Sequence, residues 1–126
     1  MLIDDNADDN FFHERVIRKN DMAERVVVKD SAEAALEYLV KEKNDDEPQP
    51  DLIFLDINMP RMNGWEFLQE YASLEKQQQG KLIVVILTTS ENPDEYRRAL
   101  NQEVATEFRN KPLTKDMLAE LIDKFY

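Results

Sequence analysis

The sequence contains no cysteine, so disulfide bonds and metal sites built on thiolates are excluded. It has no run of about 18 consecutive apolar residues, and no segment is therefore expected to span a membrane. The first residues show no basic region followed by an apolar core, so no secretory signal is expected. These absences are compatible with the cytoplasm, which is the expected location.

Basic residues are also few, because 16 Lys and Arg stand against 27 Asp and Glu, giving a formal charge of −11. Such a charge repels a phosphate backbone, so direct binding to nucleic acid is not expected. Acidity suits a divalent-cation site, although a solvated acidic surface is the commoner reason for it. The 126 residues, 42% of them hydrophobic, suffice for one globular domain with its own core but not for two.

The most informative stretch reads LIFLDINMPRMNG and covers residues 52–64. Its four leading apolar residues run directly into Asp56, as expected of a short strand that is buried on both faces. Pro50 and Pro60 flank the run, so it is not the middle of a helix. Asp56 is therefore predicted at the carboxyl end of a central strand, where open α/β sheets bind their ligands.

Polar residues follow or end three other predicted strands. Asp4 and Asp5 follow an apolar start, Thr88 and Thr89 follow Leu82–Leu87, and Lys111 comes after a short charged strand. A buried carboxylate needs a metal, a cation or hydrogen bonds, and these segments supply candidates for such partners of Asp56. We expect one edge of one sheet to collect all of these side chains.

Strand and helix patterns alternate five times along the chain, which predicts a parallel sheet covered by helices on both faces. The predicted helices begin near Asn6, Ser31, Asn63, Asn92 and Thr114, each a good N-cap residue. In the first helix, Phe12 and Val16 form an apolar stripe, so Phe12 is predicted to lie in the core. His13 lies off that stripe and is predicted to be solvated. Trp65 is expected to be partly packed.

Four segments together resemble a known family: LIDDN, LDINMPRMNG, VVILTTS and NKPL. In this order and at this spacing they resemble the receiver domain of two-component response regulators, the CheY-like domain, over essentially the whole chain. The resemblance implies a single receiver domain over residues 1–126. It also implies a flavodoxin-like, doubly wound α/β fold with a five-stranded parallel sheet in the order 2-1-3-4-5 and five helices.

The resemblance further implies a phosphoryl-transfer site. Asp56 corresponds to the aspartate that accepts a phosphoryl group from a histidine kinase in a Mg²⁺-dependent reaction. Asp5 and Asp56 correspond to direct Mg²⁺ ligands, Asp4 to a residue acting through bound water, and Asn58 to a residue contributing its backbone carbonyl. This donor set is what Mg²⁺ prefers, because Mg²⁺ keeps several of its waters.

Three further residues match positions that respond to phosphorylation in the family. Lys111 supplies a mobile positive charge to the phosphoryl group, and Thr88 donates a hydrogen bond to one of its oxygens. Phe108 matches an aromatic switch that rotates inward when the Thr88 loop moves. The change would then reach a surface formed by the fourth helix, the fifth strand and the fifth helix. The Lys111–Pro112 bond is expected to be cis.

Each of these residues also has a plainer interpretation. Asp56 could cap a strand end, Lys111 could be a solvated surface lysine, Thr88 an ordinary strand-end hydroxyl, and Phe108 simple edge packing. The four matching segments favour the functional interpretation, least decisively for Phe108. Arg109 and Asn110 stand where the family usually has more apolar residues, so the last strand is expected to be loose or covered by a partner.

The leading function is a phospho-accepting signalling switch and not an enzyme acting on external substrates. One rival is a Mg²⁺-dependent phosphohydrolase, but such enzymes usually need a second acid–base carboxylate, and the residue two positions after Asp56 is Asn58. A second rival is a pseudo-receiver that binds partners without phosphorylation. It is disfavoured because the residues that such domains commonly lose are intact: Asp4, Asp5, Asp56, Thr88 and Lys111.

The partners implied by the resemblance are a sensor histidine kinase and an unidentified downstream protein, with no membrane or nucleic acid involved. The protein is expected to be a monomer or a homodimer linked to phosphorylation. The loops at Lys41–Pro50 and Glu75–Lys81 resemble those of single-domain receivers that serve phytochrome-type histidine kinases.

Overall fold

A computed structural model describes residues 1–41, 49–73, 83–89, 94, 97–98 and 105–125. Five strands form one parallel sheet in the order β2-β1-β3-β4-β5. They are β1 (Leu2–Ile3), β2 (Val28–Lys29), β3 (Leu52–Leu55), β4 (Ile83–Thr88) and β5 (Ala105–Asn110). Both the parallel pairing and the predicted strand order are confirmed. The β-branched stretch Arg25–Lys29 favours a five-residue strand, but only Val28 and Lys29 form β2.

Four helices have defined bounds: α1 (Ala7–Lys19), α2 (Ala32–Val40), α3 (Gly64–Ala72) and α4 (Lys115–Phe125). Their N-caps agree with the sequence, since Asn6, Ser31, Asn63 and Thr114 each accept a backbone N–H with the side chain. The expected helix from Asn92 to Leu100 lies largely outside the described residues. Within that range the structure describes Asp94, Arg97 and Arg98, and all three are helical. The final helix is therefore labelled α4.

The sheet is buried on both faces. Ile53 and Leu55 of β3 pack toward α2 and α3, while Phe54 between them packs on the opposite side with α1 and α4. This alternation follows from the period of two along a strand, and it explains why β3 reads as an uninterrupted apolar run. Phe67 and Tyr71 of α3 are essentially inaccessible to solvent. Because β3 is packed against helices on both faces and paired with β1 and β4, it fixes the position of Asp56 at its end.

Helix α1 is rotated relative to the prediction. Phe12 is 52% exposed, so its assignment to the core was wrong, and His13, predicted to be solvated, is only 3% exposed. The buried face consists of Asn10, His13 and Ile17. Two of these residues are polar, and they lie beneath the polar end of the sheet, so the apolar pattern of the sequence pointed to the wrong face. Trp65 is also more buried than expected.

The last strand is tied to the helix that follows it. Arg109 forms ion pairs with Glu107 of its own strand at 3.6 Å and Glu120 of α4 at 3.0 Å, and Lys124 of α4 pairs with Glu107 at 3.0 Å. The charged side chains of Glu107 and Arg109 therefore have partners within the chain, and the expectation of a loose or partner-covered strand stays a prediction. The two loops compared with phytochrome-linked receivers lie largely outside the described residues. No helix among the residues that the structure describes is both long and apolar enough to cross a bilayer.

Candidate functional site

Three aspartates meet at the carboxyl edge of the sheet. Ile3 pairs with Leu55 in neighbouring parallel strands, so Asp4 and Asp56, which come next, lie level with each other. One carboxylate oxygen from each of Asp4, Asp5 and Asp56 lies within 4.8 Å of the others. Asp4 and Asp56 are buried, whereas Asp5 is exposed. The sequence-based expectation that β1 and β3 deliver their acids to one place is met.

The turn after Asp56 is held by close backbone packing. The N–H of Gly64, at the start of α3, donates to the carbonyl of Ile57 at 2.8 Å. A Cβ atom on Gly64 would lie only 2.7 Å from the Cα of Ile57 and 2.8 Å from the carbonyl oxygen of Asp56. This position therefore requires glycine because of the approach of two backbones. Helix α3 braces the residue that carries the central carboxylate.

Lys111 reaches the same place from the end of β5. Its main-chain N–H donates to the carbonyl of Thr88 at 2.7 Å, and the Lys111–Pro112 peptide is cis, as expected. Its Nζ donates to Asp4 Oδ2 at 2.7 Å and lies 3.7 Å from Asp56 Oδ1. Although burial lowers the pKa of Lys111, its hydrogen bonds to Asp4 and Asp9 and the charges of Asp56 and Asp4 raise it to about 12. Lys111 is therefore a permanent cation in the site.

The site carries more negative charge than Lys111 neutralises. Burial raises the pKa of Asp56 to about 6, and the charges of Asp4 and Asp5 act in the same direction. Lys111 and a hydrogen bond from the backbone N–H of Asn58 oppose this rise without cancelling it. Three carboxylates with this excess charge are hard oxygen donors of the kind that Mg²⁺ binds. The residues present fit a Mg²⁺ ion.

Thr88 and Phe108 lie on the two strands beyond Asp56. Leu55 pairs with Ile86, so Thr88 comes one residue past the level of Asp56 at the end of β4, where it is fully buried. Phe108 pairs with Ile86 on β5 and packs, half-buried, against the core on the side of α2 and α3. The fold thus places Thr88 beside the acidic cluster, while Phe108 stands away from it on β5. The roles assigned to both remain predictions.

Sequence reasoning missed three residues of α1. Asp9 accepts a hydrogen bond from Lys111 Nζ at 2.9 Å, and Asn10 donates from Nδ2 to the main-chain oxygen of Asp4 at 2.7 Å. Asn10 and His13 line a cavity of about 10 Å³ together with Asp4 and Asp56, and Asn10 Oδ1 has no hydrogen-bond partner in the described part of the chain. Burial lowers the pKa of His13. The spacing of Asp9 and His13, four residues apart and so on one helical face, was the signal available.

Comparison with known proteins agrees with this geometry. The family described as "Response regulator receiver domain" matches residues 1–123 of the chain. The chain belongs to this family. Receiver domains generally act in signalling and not as enzymes on external substrates, and the acidic cluster, Thr88 and Lys111 of this receiver domain occupy the positions that its sequence motifs indicated.

Two curated relatives of the receiver domain come from a cyanobacterium and from rice. It is 28% identical over 96 residues to the response regulator Rcp1 of Synechocystis sp., covering 75% of this chain and 64% of Rcp1. It is 32% identical over 121 residues to the two-component response regulator ORR1 of Oryza sativa subsp. japonica, covering 93% of this chain and 51% of ORR1. The receiver domain therefore spans less than two thirds of either protein.

Solved structures show the same fold. A two-component response regulator from Cytophaga hutchinsonii is 30% identical, with a TM-score of 0.85 and coverage of 98% of this chain and 92% of that one. The bacteriophytochrome response regulator AtBRR is 27% identical, with a TM-score of 0.78 and coverage of 98% and 89%. The five-stranded sheet described above is thus the receiver fold.

Proposed function

We propose that this receiver domain accepts a phosphoryl group on Asp56 from a phosphohistidine of a sensor histidine kinase. A carboxylate oxygen of Asp56 attacks the phosphorus, the P–N bond to the donor imidazole breaks, and an acyl phosphate forms on Asp56. The observation that carries the proposal is the convergence of Asp4, Asp5 and Asp56 within 4.8 Å, with Lys111 Nζ 3.7 Å from Asp56. Phosphoryl transfer depends chiefly on positioning and charge neutralisation, and this cluster offers both.

In this proposal Asp5, Asp56 and the backbone carbonyl of Asn58 hold Mg²⁺, and Asp4 acts through a bound water. The ion supplies positive charge that offsets the charge on the transferred oxygens. Asp56 has a pKa of about 6, so most of the protein carries the nucleophilic carboxylate form at neutral pH. The solvent-exposed Asp5 lies at the open side of the cluster, where a donor would approach.

Lys111 and Thr88 are proposed to bind the oxygens of the attached phosphoryl group. Lys111 Nζ already lies within ion-pair distance of Asp56, and Thr88 stands one residue past the level of Asp56 on the adjacent strand. A phosphoryl group adds a charge of about −1.5 to −2 and three acceptor oxygens, enough to draw both side chains toward it. We propose that Thr88 and Phe108 then shift a surface formed by three elements. These are the helix predicted from Asn92 to Leu100, which lies largely outside the described residues, and the elements β5 and α4.

The altered surface is proposed to contact an unidentified downstream protein, with the receiver acting as a monomer or as a homodimer linked to phosphorylation. We propose that this exchange with a histidine kinase takes place in the cytoplasm. The similarity to a bacteriophytochrome response regulator supports a phytochrome-type kinase as the first donor to test.

The proposal is tested by incubating the protein with acetyl phosphate and Mg²⁺ and measuring intact masses. We expect one phosphoryl adduct on the wild type, its loss when EDTA is present, and no adduct on Asp56→Asn. Asp123→Asn, which removes an exposed carboxylate near the C-terminal end of α4, is the matched control and should be phosphorylated like the wild type.

Two outcomes would contradict the proposal. If the wild type gains no adduct and does not bind beryllofluoride, the pseudo-receiver interpretation is favoured. If it gains no lasting adduct but releases phosphate continuously from small phosphate esters, the phosphohydrolase interpretation is favoured.

A further inference from the structure

Asp9 lies where the first turn of α1 faces the acidic cluster. The backbone N–H of Asn6 donates to Asp4 Oδ1 at 2.9 Å, and Asn6 Oδ1 accepts the backbone N–H of Asp9 at 3.1 Å. This chain of contacts ties the start of α1 to the strand end that carries Asp4. The Asp9 side chain is 37% exposed, so it stands at the rim of the site.

Lys111 lies closer to Asp4 and Asp9 than to Asp56. Its Nζ donates hydrogen bonds to Asp4 at 2.7 Å and to Asp9 at 2.9 Å, whereas the Asp56 oxygen at 3.7 Å is beyond ordinary hydrogen-bond length. An ammonium has three N–H donors. Two of these donors are therefore already used by carboxylates other than the proposed phosphoacceptor.

We propose that Asp9 is a positioning residue that holds Lys111 away from Asp56 in the unphosphorylated protein and competes with the phosphoryl group for its ammonium. The inference rests on the proposed function, because it concerns what Lys111 must leave in order to bind a phosphoryl oxygen. The Asp9 bond is the one that yields, since Asp9 is at the exposed rim whereas Asp4 is buried and braced by Asn6 and Asn10. Part of the attraction between Lys111 and the phosphoryl group is thus offset by the loss of this bond.

The neighbouring residue provides a matched comparison. Asp8 is also in the first turn of α1, carries the same charge and also has its N–H bound by the Asn6 side chain, but it is exposed. Lys111 has ion pairs with Asp4, Asp9 and Asp56 among the described residues, and none with Asp8. Asp8→Asn and Asp9→Asn therefore make the same change in net charge and in helix-terminus charge, while only Asp9→Asn removes a partner of Lys111.

The first experiment measures the initial rate of phosphorylation by acetyl phosphate with Mg²⁺, together with the dissociation constant for beryllofluoride. We expect Asp9→Asn to raise the rate and tighten beryllofluoride binding by about three- to fivefold, the upper part of the range for an exposed ion pair. Asp8→Asn should change both by less than about twofold, and Asp9→Glu, which keeps a carboxylate, should stay nearer the wild type. Equal effects of Asp8→Asn and Asp9→Asn, or slower phosphorylation of Asp9→Asn, would overturn the proposal.

The second experiment needs neither Mg²⁺ nor a phosphodonor. Urea unfolding in EDTA is measured for the wild type, Asp9→Asn, Lys111→Met and the double variant. Asp9→Asn should destabilise the protein more when Lys111 is present than in the Lys111→Met background. The increase in the unfolding equilibrium constant caused by Asp9→Asn should differ by at least about threefold between the two backgrounds. An identical effect in both backgrounds would show that no bond links Asp9 to Lys111 and would overturn the inference. The coupling could also be present in a wild type that accepts no phosphoryl group. In that case the proposed function and the proposed competition would both be refuted, and only the ion pair between Asp9 and Lys111 would be established.

Discussion

Replacing Asp56 by asparagine removes a charge that the folded protein holds at a cost. Burial, followed by the charge of Asp4, raises the pKa of Asp56 from its ordinary value of 3.8 to about 6. Between these two values the folded protein binds a proton that the unfolded chain has already released, so stability falls as pH rises through this range. Below about pH 3.8 both states are protonated and the cost disappears. Above pH 6 the full cost is present, and Asp56→Asn should stabilise the metal-free protein.

The size of the effect follows from the same pKa. A rise from 3.8 to about 6 corresponds to about 3 kcal/mol. The value belongs to a cluster in which Asp4, Asp5 and Lys111 share the charge, so a gain of about 2–3 kcal/mol in the free energy of unfolding is expected for the asparagine variant. For a domain of this length such a gain raises Tm by about 8–10 °C.

The assay is thermal and urea denaturation in EDTA at pH 4, 6 and 8. The stability gain of Asp56→Asn should be largest at pH 8, smaller at pH 6 and nearly absent at pH 4, while Asp123→Asn, at an exposed position near the end of α4, should show no such trend. Addition of Mg²⁺ should stabilise the wild type more than the variant and narrow the gap, since the ion offsets the charge that the substitution removes. A gain that is the same at pH 4 and pH 8, or a loss at pH 8, would refute the electrostatic reasoning.

Two further predictions concern the support of the site. Gly64→Ala should destabilise the protein by about 2 kcal/mol, because the new Cβ would meet the backbone of Ile57 at 2.7 Å. Urea unfolding measures this loss, with Gln69→Ala on the exposed face of α3 as the control. Equal stability of the two variants would contradict the prediction. His13 is the only histidine, so its NMR titration can be followed alone, and the midpoint should lie below 6.5 because burial lowers its pKa. Because the pKa of His13 is lower in the folded protein than in the unfolded chain, its contribution to stability is fully present above pH 6.5. This contribution is lost as pH falls from 6.5 through the lowered pKa of the folded protein. A midpoint at or above 6.5 would contradict the expected effect of burial.

Much of the fold could be predicted because its causes are local. The apolar run of β3 between prolines indicated a doubly buried strand, and Asn6, Ser31 and Asn63 marked helix starts because their side chains satisfy free backbone N–H groups. Since parallel strands end at one edge, the acids after β1 and β3 could be expected to meet. These inferences depend on properties of short segments and on one rule of sheet geometry.

The rotation of α1 and the partners of Lys111 were decided only by the tertiary structure. The apolar pattern favoured Phe12 for the core, but the capped turn at Asn6 directs Asn10 and His13 inward, where polar groups meet the buried carboxylate edge. A rotation of this kind leaves no trace in hydrophobic periodicity, because the buried positions are themselves polar. The bond between Lys111 and Asp9 joins residues 102 positions apart. This bond forms only because the fold brings the start of α1 close to the end of β5. The local sequence preferences of the two segments do not determine the distance between Asp9 and Lys111.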